Sequence, residues 1–184
     1  MDTATIRPKL LWITRTGVFI AMLIAWQAVT APLKNTLLTG SVVNLLLILS
    51  VLLCGVSSGV AVAALSPVMA KLLQIGPLWS LIPLIALGNI VFVLLWRFIA
   101  TRQRPEAQTT RHLTAAIVAA LAKFATLYCL IVRLAVPLWL QLPEPQAQMI
   151  SATFSVPQLF TASIGGAAAC LVLPFLTRAL GTEK

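Results

Sequence analysis

Acidic side chains are nearly absent. Asp2, Glu106, Glu144 and Glu183 are the four among 184 residues, and all lie in tails or between apolar runs. Catalysis by paired carboxylates has nothing to work with, and a carboxylate proton relay inside a membrane is equally unsupported. Histidine occurs once, as His112, and cysteine three times, as Cys54, Cys129 and Cys170. The cysteines sit inside or at the edges of apolar runs and form no close pair, so they read as small packing residues. No Cys/His cluster has metal-ligand spacing, and no G-x-x-x-x-G-K-[ST] loop is present to cradle the phosphates of ATP. The chain is therefore expected to be no enzyme, and to hold neither metal nor cofactor.

Charge of either sign is scarce: 9% of residues are charged, against 60% hydrophobic, and mean hydropathy is +1.00. Soluble domains carry about 25% charged residues and about 45–50% apolar ones, and a chain of this size has too little interior to hide the surplus. Lipid is the expected solvent. The net charge of +9 does not point to nucleic acid, because no basic polar stretch interleaved with aromatics exists to carry it. The basic residues lie mostly at the ends of apolar runs, where they act as topology signals. The basic, then apolar, N-terminus looks like a signal peptide, but more apolar runs follow, and it reads as a retained first span.

A bilayer-spanning helix needs about 20 mostly apolar residues. Six such stretches are predicted, at about 10–31, 38–55, 57–75, 79–100, 113–140 and 152–180. A Gly-Ser turn, Gly55 to Gly59, separates the second from the third. A polar basic segment, Thr101 to Arg111, precedes the fifth, and a Pro-rich loop with Pro143, Glu144 and Pro145 precedes the sixth. The fold class is an all-α integral membrane protein, one six-helix domain over 1–184. With the N-terminus cytoplasmic, one side receives Arg7, Lys9, Arg15, Arg97, Arg102, Arg104, Arg111, Arg178 and Lys184, while Lys34, Lys71, Lys123 and Arg133 fall elsewhere. That bias predicts both termini and the 101–111 loop inside, in a multi-pass protein of a bacterial-type plasma membrane.

Gly55-Val56-Ser57-Ser58-Gly59 matches G-x-S-x-G, but that motif needs a strand-to-helix turn and a base. Between two apolar helices, a tight turn of small residues is the better reading. Gly17, Ala21 and Ala25 recur every four residues, a pattern that lets a second helix approach closely. On the residues alone, that helix is one of the protein's own or a partner's. Gly55, Gly59 and Ala63 repeat the spacing, and the run Gly165 to Ala169 is similarly small, both suited to internal packing.

Lys123 is the most informative charge. It lies ten residues into the fifth span, about 15 Å along the helix, near mid-bilayer, where a charged group must be paired or face a wet cavity. No acidic residue in any span can pair it, which leaves carbonyls, water or a ligand. Arg133 lies near the outer end, within snorkelling reach. Gln27, Asn44, Lys71, Trp79, Asn89, Tyr128, Gln158 and Thr161 fall in the outer halves of the spans. Together they suggest a polar pocket opening outward, closed by the loops around Lys34–Asn35 and Pro143–Pro145. Trp79 and Trp139 also suit interfacial positions.

Three stretches, Ser80-Leu-Ile-Pro-Leu-Ile-Ala-Leu-Gly-Asn89, Lys123-Phe-Ala-Thr-Leu-Tyr128 and Pro157-Gln-Leu-Phe-Thr-Ala-Ser-Ile-Gly-Gly166, together with Ala21-x-x-x-Ala25, carry a resemblance. The chain resembles the substrate-binding S components of energy-coupling factor transporters, over nearly its whole length. The resemblance implies a subunit that binds a vitamin-like micronutrient in an outward-facing pocket and topples in the membrane to release it. It also implies a separate transmembrane T component and two cytoplasmic ATPases as partners. The expected substrate-binding residues are Lys123, Arg133, Asn89, Gln158, Trp79, Tyr128 and Asn44, and the expected partner-docking residues are Gly17, Ala21 and Ala25. A small-molecule substrate, possibly anionic, and the bilayer complete the expected contacts. The alternative is a self-sufficient small secondary carrier or channel, which intact inverted repeats would favour; none is seen.

Overall fold

The computed structural model describes residues 3–102 and 108–179, with the side chains of residues 3–8 and 177 left out of the description. Asp2, Arg104, Glu106, Glu183, Lys184 and the end of the predicted sixth span at 180 lie outside the described residues, as does the side chain of Arg7. Six long helices run antiparallel in chain order: α1 (Thr3–Thr30), α2 (Thr36–Cys54), α3 (Val56–Leu72), α4 (Ile82–Ala100), α5 (Gln108–Leu127) and, after a short α6 (Glu144–Thr153), α7 (Val156–Ala179). No strand occurs among the described residues. Five helical stretches are long and apolar enough to cross a bilayer, and the 17-residue α3 is a shorter apolar sixth. At about 1.5 Å per residue α3 reaches about 25 Å, the low end of a span.

Several boundaries differ from expectation, each for a local reason. The turn expected over Gly55 to Gly59 is confined to Gly55, whose φ of 91° and ψ of 174° suit a residue without Cβ. Val56 to Gly59 already wind into α3, so the G-x-S-x-G stretch is helix–glycine–helix, with no strand entering it. The Pro-rich segment is not a loop beyond Pro143: Glu144 and Pro145 open α6, where a missing N–H costs no helical bond. At the start of α2, Asn35 accepts from the Leu38 N–H at 3.0 Å and caps the helix, which satisfies one of its orphan donors.

Beyond Leu127 the fifth helix does not stop. It continues through Tyr128–Leu140 with π-helical winding and encloses Pro137. Residues in such a segment bond i to i+5, and long runs are rare. Its buried side, Ile131, Ala135 and Val136, packs with Leu81, Leu127, Ile150 and Phe154 into a small cluster that seats α6.

The main core is built where α4 meets α3 and α5. Phe92 and Trp96 are fully buried and meet edge to face, with centroids 6.2 Å apart. Opposite them α5 offers Ala115, Ala116, Ala119 and Ala120, all buried. Glycines set the closest approaches: a Cβ on Gly165 of α7 would stand 2.6 Å from the Ser41 carbonyl oxygen and 2.7 Å from Asn44 Cβ of α2. One on Gly59 would strike Val51, and one on Gly166 would press on Ala116 and Trp96. The internal packing read for Gly59 and the 165–169 run is thus what these helices use. Helix α1 is tied to α3 by polar bonds: the Thr16 and Ser58 hydroxyls share a buried hydrogen bond of 2.7 Å, and Gln27 Nε2 donates to the Ser66 carbonyl at 3.4 Å.

Candidate functional site

The periodicity of α5 decides the site. Its buried face runs His112, Ala115, Ala116, Ala119, Ala120, Lys123 and Leu127, a stripe at helical spacing. Lys123 falls in that stripe, so the helix that packs its alanines into the core must also carry the lysine inward; 4% of it remains exposed. Its Nζ donates to Asn44 Oδ1 of α2 at 2.6 Å and sits 5.2 Å from the centroid of the Phe92 ring. The partner is therefore a neutral side-chain amide, supplemented by a ring face that attracts a cation. Asn44 is itself held in place because Gly165 lets α7 press against its Cβ.

This pair borders a cavity of about 170 Å³ between α1, α2, α3, α4, α5 and α7. Asn89 enters from α4, with Nδ2 donating to the Ala63 carbonyl at 3.4 Å. Gln158 enters from α7, with Nε2 donating to the Thr153 carbonyl at 3.3 Å across the α6–α7 break. Gln27, Thr39, Ser66 and Thr161 add further amide and hydroxyl groups. Two chain segments cover the cavity at the end where α1 finishes. One is the α3–α4 connection, where Ile75, Gly76 and Pro77 line the space. There the Ile75 and Gly76 N–H groups both donate to the Ala70 carbonyl, at 2.9 and 3.1 Å, and Gln74 has a φ of 59°. The other is the α6–α7 break, which supplies Thr153 and Phe154.

Of the seven residues expected to bind substrate, Lys123, Asn44, Asn89 and Gln158 come together around this space. The other three lie apart from it. Trp79 is exposed in a 3-10 turn before α4. Tyr128 stacks on Phe124 at 5.7 Å, and Arg133 is exposed with its guanidinium carbon 5.4 Å from the Tyr128 ring centroid. Lining residues that sequence reasoning did not single out include Thr39, Ser66, Pro67 and Phe154. Only the hydroxyls among them carried a signal, being polar residues on otherwise apolar spans.

Gly17, Ala21 and Ala25 occupy the other side of α1. They are exposed, and no atom lies within 4 Å of where a Gly17 Cβ would be. The face of α1 that packs internally is instead Thr16, Leu23, Gln27 and Thr30. Among the described residues, the small-residue stripe lies on the exposed side of α1.

Helix count, small-residue stripe and a polar cavity within an apolar bundle are accompanied by a direct match: the family described as ECF transporter, substrate-specific component, covers residues 14–177. The chain belongs to that family. This substrate-specific component is a multi-pass membrane subunit of a transporter, and the family is one of transporter components rather than enzymes. Comparison with the curated proteins gives no match, and neither does comparison with the solved structures. Within the family match lie both the cavity residues and the exposed stripe of α1.

Proposed function

We propose that this S component captures a small, vitamin-like solute bearing a carboxylate or carbonyl group, and delivers it to an energising module made of a T component and two ATPases. The observation that carries the reading is Lys123: a buried lysine at a cavity wall whose polar partner is a neutral amide. A ligand carboxylate would complete its neutralisation, and Asn44, Asn89 and Gln158 each offer both donors and acceptors to orient the rest of the molecule. The stripe Gly17, Ala21 and Ala25 is the surface offered to the T component, since small residues permit close helix approach in lipid. The cavity opens to the outside, and the opposite end of the bundle faces the cytoplasm.

Native mass spectrometry of the gently purified chain tests the first part. A retained small molecule, with no ATP hydrolysis by the pure protein, is the expected result, because no phosphate-cradling loop is present. Concentrative uptake of that molecule by this chain alone, in energised vesicles, would overturn the division of labour and favour a secondary carrier.

Sidedness has its own test. Thr109 lies in the first turn of α5 and Gln146 in α6, at opposite ends of the bundle. Single cysteines placed there, in a background lacking Cys54, Cys129 and Cys170, should react with an impermeant reagent from opposite sides of the membrane, Gln146 from outside. Labelling of both from one side sinks the six-span arrangement.

A further inference from the structure

A second cavity, of about 510 Å³, lies at the other end of the bundle, between α1, α2, α4, α5 and α7. Its lining divides by chemistry. Arg15, Thr101, Gln108 and His112 supply polar and basic groups, while Phe19, Leu52 and Leu173 supply an apolar wall. Phe19 is one helical turn deeper along α1 than Arg15, about 6 Å. His112 is buried in this end of α5, with 8% of it exposed. Among the described residues the charge at this end is one-sided. Lys9, Arg15, Arg97, Arg102 and Arg111 belong to the helix ends that meet here, and the one acidic residue among the described ones, Glu144, is in α6 at the far end.

A basic mouth above an apolar wall fits an amphiphile with an anionic head. We infer that this cavity holds an anionic phospholipid, its phosphodiester at Arg15 and His112 and the start of an acyl chain along Phe19, Leu52 and Leu173. An arginine fork suits two phosphate oxygens, and the neighbouring cations draw anionic lipid to this end of the bundle. Free phosphate or a phosphorylated soluble compound offers the same headgroup chemistry but leaves the apolar wall bare. This inference goes beyond the solute cavity, and neither depends on nor supports the solute reading.

The test is titration of the purified full chain, in detergent and followed by native mass spectrometry, with phosphatidylglycerol, with phosphatidylcholine of identical acyl chains, and with inorganic phosphate. Phosphatidylglycerol is expected to bind about tenfold more tightly than phosphatidylcholine, and millimolar phosphate should not displace it. Arg15→Gln, a change at an exposed side chain, should bring phosphatidylglycerol down to the phosphatidylcholine level, and His112→Gln should weaken it in the same direction. Lys9→Gln removes an equal charge from the same end without touching the cavity lining, and should alter binding less than about threefold. Equal binding of the two lipids overturns the inference. Equal losses in the Lys9 and Arg15 variants assign the effect to diffuse surface charge and overturn it too. Displacement by phosphate alone replaces the lipid with a soluble phosphorylated ligand.

Discussion

Lys123→Met should lower affinity for the co-purifying solute tenfold or more, about 1.4 kcal/mol, while the melting temperature without ligand holds or rises. Methionine keeps length and apolar bulk and removes the ammonium with its donors. Two opposed effects act on the empty protein. Asn44 Oδ1 loses the donor now at 2.6 Å, a penalty of about 1–3 kcal/mol for an unsatisfied buried acceptor. Against that, a cation with no acidic partner leaves a low-dielectric interior, which relieves several kcal/mol. The mirror variant separates structure from binding. Asn44→Leu strips Lys123 of its polar partner and keeps the charge, so it should lower the melting temperature of the empty protein. Isothermal titration and differential scanning fluorimetry read both arms. Unchanged affinity with a lowered melting temperature in Lys123→Met would make this pair a structural bolt between α2 and α5, and the cavity's charge partner would have to be sought elsewhere.

Enlarging the exposed stripe of α1 should do the opposite: abolish transport and spare binding. In Ala21→Leu or Ala25→Leu the added side chain projects from an exposed face of α1. Folding and solute affinity should stay within about twofold of the wild type, whereas uptake in cells carrying the T component and ATPases should fall about tenfold or more, because helix association in lipid relies on close contact of small residues. A parallel loss of affinity and stability would mean that this face serves the fold. The α1 residues that do serve it, Thr16, Leu23, Gln27 and Thr30, are the buried ones and offer the contrasting control: substitution of Thr16 breaks its 2.7 Å bond to Ser58 and should lower stability.

Much of this was legible in the sequence, because lipid leaves few options: apolar runs of about 20 residues become helices, and their number and rough limits follow. Lys123 was legible as a buried basic residue because ten apolar-run residues precede it and no acid shares its depth. Its partner was not. Asn44 lies 79 positions earlier, and only the folded bundle, in which α7 packs on α2 at Gly165, brings the two together. Tyr128 and Arg133 were expected at the pocket for their polarity and their depth along the fifth span, not for the face they occupy: at 3.6 residues per turn Tyr128 already falls about 140° round the helix from Lys123. The π winding that begins at Tyr128 changes the angle each residue adds, so faces drawn from an α period drift apart beyond Leu127. Trp79 illustrates a different gap. An aromatic at a span boundary suits either an interface or a pocket rim, and nothing local in the sequence chooses between them. The Pro143–Pro145 segment was misread as a loop because proline tolerates the first turn of a helix as readily as it breaks the middle of one.

The tight contact between α2 and α7 also decides how this protein could be retuned for a different cargo. Gly40 and Gly165 leave no room for even a methyl group: a Cβ on Gly40 would stand 2.9 Å from Thr161 Cγ2, and one on Gly165 would meet backbone. That wall of the cavity is therefore fixed, and Asn44 with it. Room for variation remains in the side chains around it, at Thr39, Ser66, Asn89 and Gln158, which line the space at positions where a side chain is already accommodated. A library built at those four positions would sample new solute shapes on an unchanged scaffold, whereas one that included the two glycines would spend most of its members on proteins that do not assemble.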